Sequence, residues 1–223
     1  TLRRKTYVVR ASQPIFLLIL CAGTFIMGAA IVPLSIDDGI TNDHGCDVAC
    51  MTVPWLASTG FVMTFAALFS KTWRVNRIFN NPRLTRIKVT AFDVMIPLLV
   101  LLGLNFAVLS VWTGVSPLTW TRDVTDEDIF GRPTESLGYC YSEDYLPFVI
   151  LLVGLDLGAL MFASYQSYLA RGVSTEFAES EYIGKAIACM LLVSFVGVPT
   201  MIIVMDEPRA RFFVLSSILF VLL

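Results

Sequence analysis

Few residues in this chain are equipped for chemistry. The five cysteines are Cys21, Cys46, Cys50, Cys140 and Cys189, and His44 is the single imidazole. Cys46 and Cys50 stand at i, i+4 beside His44, but a metal site would want a second histidine or a CxxC spacing, so His44 reads as a solvated loop residue. Asp156 lies alone in the apolar run FVILLVGLDLGALMF, and a carboxylate so placed is a functional-site candidate unless it is protonated or hydrogen-bonded to a neighbouring element. Lys71 directly follows one long uncharged run and Glu179 shortly precedes another. An enzyme would cluster His, Asp or Cys at one place, and nothing of that kind is present. The reading is therefore no catalytic residue, no cofactor and no metal.

The elements that carry these residues are set by hydropathy. The 223 residues are 56% hydrophobic and 15% charged, with a mean hydropathy of +0.73. An ordinary soluble domain has about a quarter charged residues and could not hide so much apolar surface. Uncharged runs extend over Ala11 to Ile36, Met51 to Ser70, Val94 to Thr121 and Ala186 to Met205, and Tyr145 to Ala170 is broken only by Asp156. Each reaches the roughly 20 residues that a helix needs to cross about 30 Å of hydrocarbon. A sixth run, Phe212 to Leu223, ends with the chain. The predicted helices are about 11–36, 51–79, 90–113, 145–170, 181–205 and 210–223. Pro97 and Pro199 are expected to kink their helices, and Gly154, Gly158 and Gly197 to allow close helix packing. Trp55, Trp112 and Trp120, near span ends, read as interfacial anchors. The first run is too long for the apolar part of a signal peptide.

Charge fixes the orientation. Net charge is -2 and gives no reason to expect a nucleic-acid partner. The basic residues gather in Arg3, Arg4, Lys5 and Arg10, in the Lys71 to Lys88 segment, and in Arg171 and Lys185, which should therefore be cytoplasmic. The alternate segments are acidic. Asp37 to Cys50 holds aspartates and no Lys or Arg, and Gly114 to Asp144 is a long outer loop rich in Gly, Pro, Ser, Thr and acids. The chain thus starts inside and crosses five times, and an eventual seven-helix count needs one further helix upstream. Cys46, Cys50 and Cys140 fall on the outer, oxidising side. A bridge to Cys140 would staple the long loop over the bundle, and spacing leaves Cys46 and Cys50 both open as its partner.

Residues 54–79, PWLASTGFVMTFAALFSKTWRVNRIF, resemble the third helix of class C G protein-coupled receptors, and KTWRVNRIF at 71–79 is most similar to the GABA-B branch. VVRASQP at 8–14 resembles that family's first inner loop, FAESEYIG at 177–184 the start of helix six, and VGVP at 196–199 the GABA-B pattern. The resemblance covers nearly the whole chain. It implies an all-α membrane protein, a seven-transmembrane helix bundle of which this is a fragment lacking the first helix and most of the last, multi-pass in the plasma membrane. It also implies a receptor whose absent extracellular domain takes an amino-acid-like ligand, with a heterotrimeric G protein as partner, a homo- or heterodimer as its working form, and surrounding membrane lipid.

By the same resemblance, Cys50 and Cys140 take the places of the family's outer disulfide. Lys71 and Glu179 take those of a basic residue and an acid forming an ionic lock of the inactive state at the inner face. Arg74, Arg77, Asn81 and Arg83 form an inner loop facing the G protein, although the positive-inside bias and anionic lipid account for the same arginines. A competing reading is an ion- or proton-coupled transporter using Asp156. Against it stand a single mid-span ionisable residue and no repeated halves. A retinal protein would need a lysine inside its last helix, whereas Lys5, Lys71, Lys88 and Lys185 lie outside spans or at their ends.

Overall fold

The computed structural model describes residues 14–79, 91–130, 133–169, 179–204 and 207–223; the side chains of 14, 71–72, 74–79, 91–94, 125–127, 133, 135, 169, 179–181 and 208 are outside the description. Its elements are α1 (Pro14–Ala29), a single turn α2 (Ile31–Leu34), α3 (Asp43–Phe79), α4 (Ala91–Val115), β1 (Thr119–Glu127), β2 (Pro133–Tyr141), α5 (Tyr145–Leu169), α6 (Glu179–Ile203) and α7 (Pro208–Leu222). Five helical stretches are long and apolar enough to cross a membrane: 15–34, 43–70, 95–115, 145–168 and 182–203. The protein is an integral, multi-pass helical membrane protein.

Two helix boundaries and one loop differ from the sequence reading. The first run does not continue unbroken to residue 36. Pro33 has no N–H to give to the carbonyl of Ala29 and its ring crowds that carbonyl, so α1 stops at Ala29 and a short turn follows. The second predicted helix starts eight residues early, at Asp43. Asn42 caps it, its Oδ1 accepting from the Gly45 N–H at 3.0 Å, so this helix projects beyond the hydrocarbon on polar residues that a search for apolar runs passes over. The outer loop is a two-stranded antiparallel hairpin in which Trp120 lies opposite Cys140, with a bulge near Val124. Its strands alternate polar and apolar residues too weakly to stand out beside the long spans.

α3 is the axis of the bundle and packs against α1, α4, α5, α6 and β1. Its nearest neighbour is α1, and two glycines permit the approach. A Cβ on Gly60 would lie 2.5 Å from the Met27 nitrogen, and one on Gly23 would lie 2.7 Å from the Thr64 nitrogen. Both obstacles are backbone and cannot turn aside. At Gly197 the crowding atom is a side-chain tip, Ile218 Cδ1 of α7, 2.8 Å from an added Cβ, which can give way where the α1 backbone cannot. Gly154 and Gly158 are a correction, because a Cβ on either meets nothing within 4 Å among the described residues.

Cys50 on α3 is bonded to Cys140 on β2, which fastens the hairpin to the outer part of the bundle across 90 residues of sequence. Cys46, one turn away, is buried and unbridged, and Cys21 and Cys189 are free. The bridge restricts the unfolded chain by at most about 4–5 kcal/mol in the chain-entropy estimate, an upper limit where helices already span a bilayer.

Two predictions follow from this packing. Gly60→Ala forces α1 and α3 apart and should lower the thermal midpoint of the purified protein by roughly 2–10 °C, the equivalent of about 1–3 kcal/mol of overpacking, while Gly154→Ala leaves it nearly unchanged. Equal midpoints for the two variants would show that the helix contact yields freely. Cys50→Ser, Cys140→Ser and the double variant should lose the same amount of stability, because each removes one shared bond, while Cys46→Ser loses less. Non-reducing peptide mapping of the four variants, run alongside thermal melts, checks both points.

Candidate functional site

The outer end of the bundle is closed by a second set of contacts around the disulfide. Asp47, three residues before Cys50, accepts the Trp120 backbone N–H at 2.7 Å, which holds β1 against the first turns of α3. Arg122 pairs with Asp38 at 2.9 Å in a solvated position, where such a pair contributes about 0–1 kcal/mol. Ser116 and Ser142 share a hydrogen bond of 2.5 Å at the two ends of the hairpin. Within the hairpin, the Tyr139 hydroxyl donates to Asp123, and because ionising the phenol would break that bond beside a carboxylate, its pKa lies above the ordinary phenol value.

Beneath the hairpin, Cys50, Met51, Leu109, Trp112, Leu118 and Leu152 form an apolar cluster. Trp112 is 3% exposed and stacks on Phe148 with ring centres 5.8 Å apart, so it belongs to this core and is not the interfacial anchor expected from its position near a span end. Trp55 stacks on Phe106 and donates its indole N–H to Thr113 at 3.0 Å, and Trp120 packs over Gly138 with no indole partner among the described residues. All three tryptophans are thus engaged in packing between elements.

A ladder of aromatic rings runs down α3 toward the inner side. Phe61, Phe65, Phe69 and Trp73 follow one another at i, i+4 with centroid spacings of 6.5, 6.0 and 6.2 Å, and Phe69 also meets Phe162 of α5 at 5.7 Å. The i, i+4 repeat of aromatic residues is visible in the sequence. Such a stripe links the outer and inner halves of the bundle through stacked, space-filling contacts.

At the inner side, α3 runs on past Ser70, so Lys71, Arg74 and Arg77 lie on its last turns, and Glu179 opens α6, a helix in contact with α3. The side chains of these four lie outside the described residues, as do Asn81 and Arg83 entirely. Asp156 is half-buried on α5, on the same stripe as the buried Leu152, Leu160 and Ala163, and has no hydrogen bond or ion pair to a described residue. It therefore faces the bundle. Among the described residues no group of His, Cys, Asp and Glu could hold a metal.

Comparison with known proteins agrees with this arrangement. The family profile described as 7 transmembrane sweet-taste receptor of 3 GCPR matches residues 1–223. A gamma-aminobutyric acid type B receptor subunit 2 from Caenorhabditis elegans is 28% identical over 94% of this chain and 26% of its own length. The human subunit of the same name is 22% identical over 97% of the chain and 24% of its own length. Metabotropic glutamate receptor-like protein G from Dictyostelium discoideum is 28% identical over 89% of the chain and 25% of its length. The chain spans about a quarter of the length of these relatives. With helices, outer disulfide and a match along its whole length in accord, the chain belongs to the transmembrane family of class C G protein-coupled receptors.

Proposed function

We propose that this chain is the membrane-spanning transmission unit of a metabotropic receptor of the GABA-B type. An amino-acid-like ligand, bound by an extracellular domain outside this chain, rearranges the helices of paired receptors and thereby promotes nucleotide exchange on a heterotrimeric G protein. The observation that carries this reading is the family match along the entire chain together with relatives named as GABA-B receptor subunits. The rigid outer end suits it. A hairpin tied to α3 by a disulfide and by the Asp47 contact gives an outer domain a firm handle on the central helix.

On the inner side, Lys71 and Glu179 pair across α3 and α6 and hold the inactive arrangement, and Arg74, Arg77, Asn81 and Arg83 meet the G protein. The support is the resemblance of their sequence segments, the contact between the two helices, and the clustering of basic residues beside the same helix end. Separation of the pair would let the inner ends of the helices move apart, the kind of two-state step that opens a docking surface.

In cells expressing the full-length parent protein with a reporter G protein, GABA or a related amino acid should raise the second-messenger signal only when the extracellular domain is intact. Lys71→Ala and Glu179→Ala should each raise ligand-free signalling by up to about fivefold, the population change that about 1 kcal/mol of lost pairing allows. Charge exchange, Lys71→Glu with Glu179→Lys, should return it toward the starting level. Basal signalling unchanged by either single substitution would remove the lock, and absence of coupling to every G protein tested, with ion flux dependent on Asp156, would remove the receptor reading.

A further inference from the structure

The bundle interior holds two apolar clusters, one outer and one inner, and between them three helices each place at least one polar side chain among the apolar ones. The outer cluster takes Met51 from α3, Leu109 from α4 and Leu152 from α5, and the inner one takes Phe61, Leu98 and Leu160 from the same three helices. Passing inward from one to the other, α3 contributes Ser58 and Thr59, α4 contributes Asn105, and α5 contributes Asp156. At 1.5 Å per residue, Ser58 lies about 12 Å below Cys50, Asn105 about 15 Å below Val115 and Asp156 about 17 Å below Tyr145, which brings them to similar depth. The three helices contact one another pairwise.

These groups are not satisfied by each other. Ser58 Oγ donates to Asn105 Oδ1 at 2.5 Å, which leaves the Asn105 amide nitrogen, on a side chain 3% exposed, without a partner. Thr59 Oγ1 is also buried and without a partner, and Asp156 has no hydrogen bond or ion pair to a described residue. A buried amide or hydroxyl left unbonded costs about 1–3 kcal/mol, and a carboxylate in hydrocarbon requires a positive partner. No Lys, Arg or His occurs between Val94 and Thr121 or between Tyr145 and Ala170 to supply one.

We propose that this layer is a binding site for a small monovalent cation that retains part of its water shell. Asp156 supplies the single negative charge, the hydroxyl oxygens of Ser58 and Thr59 supply neutral ligands, and the Asn105 amide donates to a bound water. A single carboxylate with neutral oxygens balances one positive charge, so sodium fits better than calcium, which generally recruits several carboxylates. Placed where α3, α4 and α5 meet, the ion would favour whichever helix arrangement keeps the three contributions together.

The test uses the purified full-length receptor, whose thermal midpoint is measured in sodium chloride and in N-methyl-D-glucamine chloride at equal ionic strength. Sodium should raise the midpoint saturably, by roughly 3–6 °C at ten times its dissociation constant, and Asp156→Asn should abolish the difference between the two salts. An identical midpoint in both salts for the unsubstituted protein overturns the site, since Asp156 is then kept neutral by a proton. A sodium increment that survives Asp156→Asn overturns it as well, because the ion then binds elsewhere. Should Asp156→Asn fail to accumulate in folded form, Thr59→Val is expected to raise the half-saturating sodium concentration about tenfold, the loss of about 1.4 kcal/mol, and an unchanged value overturns the proposal. The readout needs neither agonist nor G protein, so its failure leaves the receptor reading where it stood.

Discussion

Hydrocarbon offers no hydrogen bonds, and the organisation of this protein depends on that. Backbone groups within the bilayer must be paired inside helices, so the chain has little choice of secondary structure there, and association of the helices cannot draw on exclusion of water as it would in a soluble core. What remains is close contact. α3 meets α1 at Gly60 and Gly23, where the two backbones approach with no room for a single carbon atom between them, and at Gly197 α6 is met by the Ile218 side chain of α7, a looser contact. Large apolar side chains such as Phe25, Ile203 and Phe213 point away from the other described helices, as apolar faces in a membrane are free to do.

The two ends of the bundle are built by different physics. Outside, where water returns, the chain uses strands, a disulfide, a capped helix start and an exposed ion pair, all of which tolerate solvent. Toward the inside, the aromatic ladder of α3 gives way to a helix end crowded with basic residues. A displacement imposed on the hairpin reaches α3 directly, through Cys50 and Asp47 on its first turns, and α3 then contacts every long helix except α7 closely. One continuous helix with its outer end tied to the hairpin connects the two ends of the bundle mechanically. The Ser58–Asn105 hydrogen bond joins this helix to α4 along the way.

Much of the architecture was legible in the residues. The spans and their direction follow from uncharged runs and the distribution of Lys and Arg, since the energy of placing charge in hydrocarbon is large compared with any local propensity. The segments around Lys71 and Glu179 carried the family resemblance, and the profile match along 1–223 agrees with it. Helix ends were less legible. Asn42 announces a helix start by its capping chemistry, not by hydropathy, and Pro33 ends one four residues before itself, so both boundaries depend on hydrogen-bonding detail that apolar content does not report.

By itself the sequence determined that the chain is a membrane-spanning helical bundle and to which family it is related, because transfer of side chains into hydrocarbon is governed by composition and the family's motifs stand in the residues themselves. Only the tertiary structure decided which small residues matter, since Gly60 and Gly154 look alike until the backbone of α1 is found against one and nothing within 4 Å of the other. It decided likewise that Cys50 and not Cys46 reaches Cys140, that Trp112 is core, and that Ser58 and Asn105, 47 residues apart along the chain, share a hydrogen bond. Those outcomes rest on which helix faces which, and that is settled by the fit of whole surfaces, to which each residue contributes only a part.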